Sequence, residues 1–216
     1  MHDPSNESGD EATGESGEMT GRGRLVIISG PSGAGKSTVV KELMKRCDVP
    51  LQLSVSATTR QPRPGEVHGK DYFFLSHEEF ERRRKLDDFV ECKQVFSLGQ
   101  WYGTLKDQVA TGLNAGTWVI LEIDVQGAMA VLDDPHYRPV TIFVHPGSME
   151  ELERRLRNRG TESESALIAR LETAAAEMQC MSRYQYEIIN ESVDNAVTEI
   201  CQILLDQRKT TPCSKN

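Results

Sequence analysis

The octet Gly30-Pro31-Ser32-Gly33-Ala34-Gly35-Lys36-Ser37 directly follows the apolar run Leu25-Val26-Ile27-Ile28. It fills every fixed position of the phosphate-binding loop G-x-x-x-x-G-K-[ST], in the strand-then-helix context the motif requires. Glycines at these spacings let consecutive backbone N–H groups turn inward into an anion-binding nest, and the following helix adds the positive end of its dipole. An amphipathic pattern from Val39 to Arg46 supplies that helix. Lys36 reaches the outer phosphates of a nucleotide in such a loop, and the Ser37 hydroxyl is placed to ligate Mg²⁺. The motif implies a nucleoside triphosphate site.

Around the motif, apolar strand-like runs alternate with helical patterns, which predicts an α/β fold with a mainly parallel sheet. Beside Leu25–Ser29, the core runs are Trp118-Val119-Ile120-Leu121, Thr141-Ile142-Phe143-Val144 and Glu187-Ile188-Ile189. All are short and rich in β-branched residues, as strands covered on both faces are. Ser148 with Glu151 forms a capping box ahead of Leu152 and Leu156, and Val193 to Leu205 spaces Val197, Ile200, Ile203 and Leu204 on one helical face. The rhythm breaks from about Leu53 to Gly103. That stretch holds an Arg/Pro/Gly-rich loop, the run Tyr72-Phe73-Phe74-Leu75, a helix opened by Ser76 and Glu79, and strand-like Phe89-Val90-Glu91 and Val95-Phe96. It reads as a small, mostly antiparallel subdomain. A second irregular, charge-dense stretch, Arg154 to Arg170, carries Gly160-Thr161 and reads as a hinged lid.

The 216 residues suit one domain with insertions, and 38% hydrophobic residues suffice for an ordinary core. The net charge of −8 misleads about the folded body, because residues 1–21 hold six acids and no Lys or Arg, leaving −2 for the remainder. A nearly neutral body with local arginine clusters points to small anionic ligands and away from a nucleic-acid track. Residues 1–21 have the composition of a disordered acidic tail, and they lack the basic start and apolar segment of a signal peptide. No run is long enough for a membrane span. Five widely spaced cysteines without a C-x-x-C pair indicate reduced thiols of a cytoplasmic protein. His77-Glu78-Glu79-Phe80 lacks the second histidine of a zinc-protease helix.

The insert chooses the acceptor. In Ser56-Ala57-Thr58-Thr59-Arg60-Gln61-Pro62-Arg63-Pro64-Gly65-Glu66, two arginines flank a proline, and Pro62 and Pro64 stiffen the loop. Guanidinium forks grip phosphate through paired hydrogen bonds, so Arg60 and Arg63 are expected to converge on one anion, with Tyr72 and Tyr102 adding hydroxyl donors.

With these residues the chain strongly resembles the guanylate kinase family. The matching segments run in the family's order over residues 24–208: Ile28 to Ser37, Ser54 to Glu66, Gly69-Lys70-Asp71-Tyr72, Phe89-Val90-Glu91, Tyr102-Gly103-Thr104, Ile123-Asp124-Val125-Gln126-Gly127 and Arg159-Gly160-Thr161-Glu162. The resemblance implies a three-layer α/β fold of the P-loop nucleoside monophosphate kinase type. It implies a core (22–53, 105–153 and 171–208), a GMP-binding subdomain (54–104), a helical lid (154–170) and a C-terminal tail (209–216). It assigns ATP to Gly30, Pro31, Ser32, Gly33, Ala34, Gly35, Lys36, Ser37 and Thr38, with Mg²⁺ on Ser37. GMP phosphate falls to Arg60, Arg63, Tyr72 and Tyr102, the base to Ser56, Glu91 and Thr104, and Asp124 lies near GMP and the metal. Lys36, Arg60, Arg159 and Arg170 are the residues expected to stabilise the moving phosphoryl group.

Chemistry supports the base assignment on its own terms. Guanine offers N1–H and the N2 amino group as donors and O6 as an acceptor. A carboxylate at Glu91 accepts both donors, and hydroxyls of Ser56 or Thr104 donate to O6. Adenine mismatches that pattern. Glu122 stands where many family members carry aspartate and is given no site role. The segment from Val95 to Trp101 is about two residues longer than the usual family pattern. Two other readings remain at this point: a guanylate-kinase-like interaction module without turnover, and a phosphate-loop kinase acting on a sugar phosphate. The expected partners are ATP and GMP, without nucleic acid or membrane, in a monomer or homodimer.

Overall fold

The computed structural model describes residues 23–95, 99–158 and 163–210. In chain order the elements are β1 (Leu25–Ser29), α1 (Lys36–Arg46), β2 (Leu51–Leu53), β3 (Ala57–Thr58), β4 (Phe73–Phe74), α2 (His77–Lys85), β5 (Phe89–Val95), β6 (Gln100–Leu105) and α3 (Lys106–Asn114). There follow β7 (Trp118–Glu122), α4 (Val125–Asp133), β8 (Val140–His145), α5 (Met149–Asn158), α6 (Glu164–Met178), a 3₁₀ turn (Met181–Arg183), β9 (Tyr186–Ile189) and α7 (Val193–Thr210).

Five strands form one parallel sheet in the order β2-β7-β1-β8-β9. Its middle strand explains the layering. Val26 and Ile28 of β1 point into a cluster with Val39, Val40 and Leu43 of α1 and Ala196, Val197, Ile200 and Leu204 of α7. Leu25 and Ile27 point the other way, toward Val109 of α3 and Val125, Ala128 and Val131 of α4. Alternate side chains thus feed two apolar layers, which is why the strand reads as an unbroken hydrophobic run. The sheet gains β2, a strand absent from the sequence expectation because Leu51-Gln52-Leu53 is short and only half buried. Among the described residues no helix is long and apolar enough to cross a membrane.

The second sheet, β4-β3-β6-β5, is mixed: β3 pairs parallel with β4, and β6 runs antiparallel to both β3 and β5. Phe80 of α2 stacks on Phe89 at a centroid distance of 4.4 Å and lies 5.7 Å from Trp101, giving this sheet its own apolar cluster. Ser76 caps α2 by accepting from the Glu79 N–H at 3.1 Å, as its sequence predicts.

The charge-dense stretch from Arg154, irregular by composition but a helical lid by the family resemblance, is helical where it is described: α5 continues to Asn158 and α6 starts at Glu164, capped by Ser163. Dense charge hides the helices from a composition reading because it is organised at helical spacing: Arg154 and Arg155 both bind Glu151 and Arg157 binds Glu153, while Arg157 also reaches Glu164 of the next helix. Gly160 and Thr161, named as the hinge, lie outside the described residues.

Candidate active site

The phosphate loop leaves the carboxyl end of β1, beside the end of β7, where an open parallel sheet offers its ligand crevice. Gly30 takes φ +137°, and a Cβ there would sit 2.0 Å from the Val144 carbonyl oxygen, so neither the conformation nor the space admits a side chain. Gly30→Ala should therefore lower unfolding stability by about 3 kcal/mol or more, measurable by urea denaturation; a loss under about 1 kcal/mol would contradict the packing. Gly35 caps α1 with φ +87°, and Asn190 packs against it while donating to the Ala34 carbonyl at 2.8 Å. The N-terminus of α1 has no side-chain cap and no acid in its first turn, whereas α2, α4 and α6 are capped by Ser76, Asp124 and Ser163. Its backbone donors and dipole are left for an anion. Lys36 curls back on the loop, donating to the carbonyls of Gly30 at 2.6 Å and Pro31 at 3.0 Å.

Ser37 donates to the Glu122 carboxylate at 2.5 Å. That contact follows from register, because Glu122 ends β7 directly opposite Ile28 of β1. The sequence gives Glu122 no site role; pairing of the two strands sets it beside Ser37.

Glu122 also forms part of the wall of a cavity of about 290 Å³, together with Ser56, Tyr72, Glu91, Lys93, Tyr102, Gly103, Ile123 and Asp124. Five residues named from sequence therefore meet in one space: Ser56, Tyr72, Glu91, Tyr102 and Asp124. Glu91 is 9% exposed and accepts from the Thr104 hydroxyl at 2.7 Å, its direct cross-strand partner. Thr104 thus holds the carboxylate, a placement different from the expected donor to a base oxygen. The strand register slips between Phe89 and Glu91. As a result Phe89 and Cys92 pack toward Phe80, while Glu91 and Lys93 line the cavity. Without that slip, period-two alternation would put Glu91 on the same face as Phe89, in the apolar cluster.

Burial pushes the Glu91 carboxyl up to about 7, the Thr104 hydrogen bond opposing this and Asp124 adding to it. An ordinary glutamate at 4.5 loses its proton earlier, so between pH 4.5 and 7 the folded chain holds a proton that the unfolded chain has released. Stability from this group is complete below pH 4.5 and is lost as pH rises through 7, by roughly 3 kcal/mol. Glu91→Gln should remove that slope when urea midpoints at pH 5 and pH 8 are compared. Parallel curves for the two proteins would refute the assignment.

The two loop arginines are held differently. Arg60, with a 10% exposed side chain, makes a two-pronged pair with Glu66, both bonds at 2.9 Å, and lies 5.3 Å from the Tyr72 ring centroid. Arg63 is exposed, and its backbone N–H, not its guanidinium, reaches Glu66 at 2.7 Å. The proline-stiffened loop orders itself around one carboxylate, and Glu66 holds the fork in place. Asp124 caps α4 by accepting from the Gly127 N–H at 2.9 Å and pairs with Lys93. Arg170 is exposed on α6, and Arg159 lies outside the described residues.

Besides Glu122, sequence reasoning missed Glu66, Lys93, Asn190 and Glu177. Glu177, near the end of α6, is half-buried; burial raises its pKa, with Lys36 the main opposing charge. The Asp124 cap on the Gly127 N–H emerges only in the structure, and the long-range partners leave no local signal in the sequence.

A loop built for one phosphate chain, joined through Glu122 to a cavity for a second molecule on a separate small sheet, is the layout of a phosphate-loop nucleoside monophosphate kinase. A family model described as guanylate kinase matches residues 22–207. The chain is 88% identical over 216 residues, covering all of both chains, to the guanylate kinase of Rhodopirellula baltica. It is 44% identical over 189 residues to the guanylate kinase of Escherichia coli, covering 87% of this chain and 89% of that one. The crystal structure of guanylate kinase from Anaplasma phagocytophilum superposes with a TM-score of 0.70 at 34% identity, covering 88% of each chain. The chain belongs to the guanylate kinase family.

Proposed function

We propose that this enzyme transfers the γ-phosphoryl group of ATP to the phosphate of GMP, and of dGMP, forming ADP and GDP or dGDP. The observation that carries the acceptor's identity is the buried Glu91 carboxylate, steadied by Thr104 inside the cavity. Ionised, it accepts from guanine N1–H and the N2 amino group; adenine presents a lone pair there instead. Ser56 on the same wall supplies a hydroxyl toward O6. Arg60, Tyr72 and Tyr102 take the acceptor phosphate, Arg60 exchanging or sharing its Glu66 partner, and Arg63 joins from the exposed loop. Asp124 faces the nucleotide from the head of α4.

On the donor side, the backbone N–H groups of residues 32–38 cradle the ATP phosphates and Lys36 swings from the loop carbonyls onto the outer phosphates. Ser37 and Glu122 put two hard oxygen atoms side by side at the foot of the loop. Among the described residues no group of three His, Cys, Asp or Glu side chains is arranged to hold a metal. Few protein oxygens plus nucleotide phosphates and water suit Mg²⁺, which supplies charge neutralisation when bound. Ser37 would hold it and Glu122 would orient Ser37 or a coordinated water. Arg159 and Arg170, brought in by lid closure, neutralise the transferring group, and closure excludes water from the transfer. A phosphate nucleophile needs no strong base. We place the enzyme in the cytoplasm, in purine nucleotide recycling.

A coupled assay with ATP and Mg²⁺ tests this by comparing GMP, dGMP, AMP, UMP and ribose phosphates. Turnover with GMP and dGMP alone is expected. A protein that binds GMP without turning it over would instead be an interaction module, and preference for a ribose phosphate would overturn the acceptor.

A further inference from the structure

Glu91 does not stand alone in the cavity wall. The first turn of α4 packs behind its carboxylate, and the residue at the contact is Gly127. A Cβ on Gly127 would lie 2.9 Å from Glu91 Oε2, 3.4 Å from the carboxyl carbon and 3.6 Å from Asp124 Oδ1. Gly127 is helical and buried, so its backbone conformation makes no demand for glycine. Helix propensity alone favours alanine there. The contact that argues against a side chain is the Glu91 carboxylate, whose Oε2 lies closer than a real Cβ tolerates, whereas Asp124 Oδ1 is at ordinary van der Waals distance.

The contact is selective in where it presses. Thr104 holds Oε1, and it is Oε2 that faces Gly127. Reading guanine's N1–H and N2 amino group together takes both oxygens of one carboxylate in a fixed plane. We infer that Gly127 is a specificity-determining residue of the acceptor site: its missing Cβ lets the Glu91 carboxylate lie flat between Thr104 and α4, with both oxygens available to a purine edge. A methyl group at this position turns or pushes the carboxylate, which is the free end of a flexible side chain and gives way at little cost to the fold. The damage appears in recognition and spares stability. This inference rests on the proposed guanine pocket.

The test is Gly127→Ala, Glu91→Gln and the double variant, each measured for GMP KM, ATP KM, kcat and Tm. Gly127→Ala should raise GMP KM between about 10- and 100-fold, as a displacement near 1 Å does at a positioned group, while ATP KM stays within about 2-fold and Tm does not fall. In the Glu91→Gln background the same change should add less than about 3-fold, since the group it disturbs is already lost. Shortening the acid in Gly127→Ala/Glu91→Asp makes room for the methyl and should recover part of the GMP KM. If Glu91→Gln raises GMP KM and Gly127→Ala does not, Gly127 is a plain packing residue and the inference fails. If Tm and both KM values worsen together, the role is structural and the inference likewise fails. If Glu91→Gln leaves GMP KM unchanged, the guanine pocket itself is refuted, and the role of Gly127 with it.

Discussion

Replacing Lys36 with alanine lowers kcat by about 10²–10³-fold, equivalent to roughly 3–4 kcal/mol of transition-state stabilisation. The ammonium donates to the Gly30 and Pro31 carbonyls, which keeps it at the phosphate loop. Charge that tracks the transferring group counts most in the transition state, so kcat falls further than ATP KM rises. Removing two hydrogen bonds to an accessible loop costs about 1–2 kcal/mol of stability, which unfolding in urea measures separately. Single-turnover kinetics with saturating ATP and GMP give the decisive number. Turnover within a few-fold of the parent protein would falsify the assignment of chemistry to this loop.

Glu91→Gln produces the second large effect: GMP KM rises by roughly 10²–10³-fold, with ATP KM nearly unchanged. The substitution keeps one acceptor and turns the other oxygen into a donor that faces guanine's own donor, leaving buried polar groups mismatched. Thr104 keeps its partner through the remaining carbonyl, so the cavity wall survives. The pH profile adds an independent check. Because burial pushes the carboxyl up to about 7, GMP KM should climb as pH falls from 7.5 to 6, by up to about tenfold per unit. The glutamine variant lacks that limb and retains only what the phosphate of GMP itself contributes. Identical profiles for the two proteins would remove Glu91 from the base pocket.

Local chemistry makes part of this molecule readable from its sequence. The phosphate loop depends on residues adjacent in the chain, each with a backbone or charge role of its own, so Gly30 to Ser37 announced itself. Ser76 and Ser148 likewise identified helix starts, because a cap reaches only three residues ahead. Charge patterns were harder. Arg154, Arg155 and Arg157 pair at helical spacing with Glu151 and Glu153 ahead of them, so a stretch that looks irregular by composition contains the end of one helix and the start of the next. The two loop arginines are legible in the sequence, but the carboxylate that orders Arg60, Glu66, is not. An arginine's partner lies at the end of a long flexible side chain, and no spacing rule settles which acid it meets.

What the amino-acid order determined unaided was everything carried by neighbours: the anion nest, the helix caps, the apolar runs and the residue types that suit guanine. Tertiary structure decided which of those residues act together. The parallel register of β1 and β7 set Glu122 beside Ser37. A slip of register in β5 turned Glu91 out of the aromatic cluster and into the cavity. The close approach of α4 left space behind Glu91 for nothing larger than glycine. Each is a contact between segments far apart in the chain, fixed by strand pairing and packing, and such contacts leave no local pattern to read.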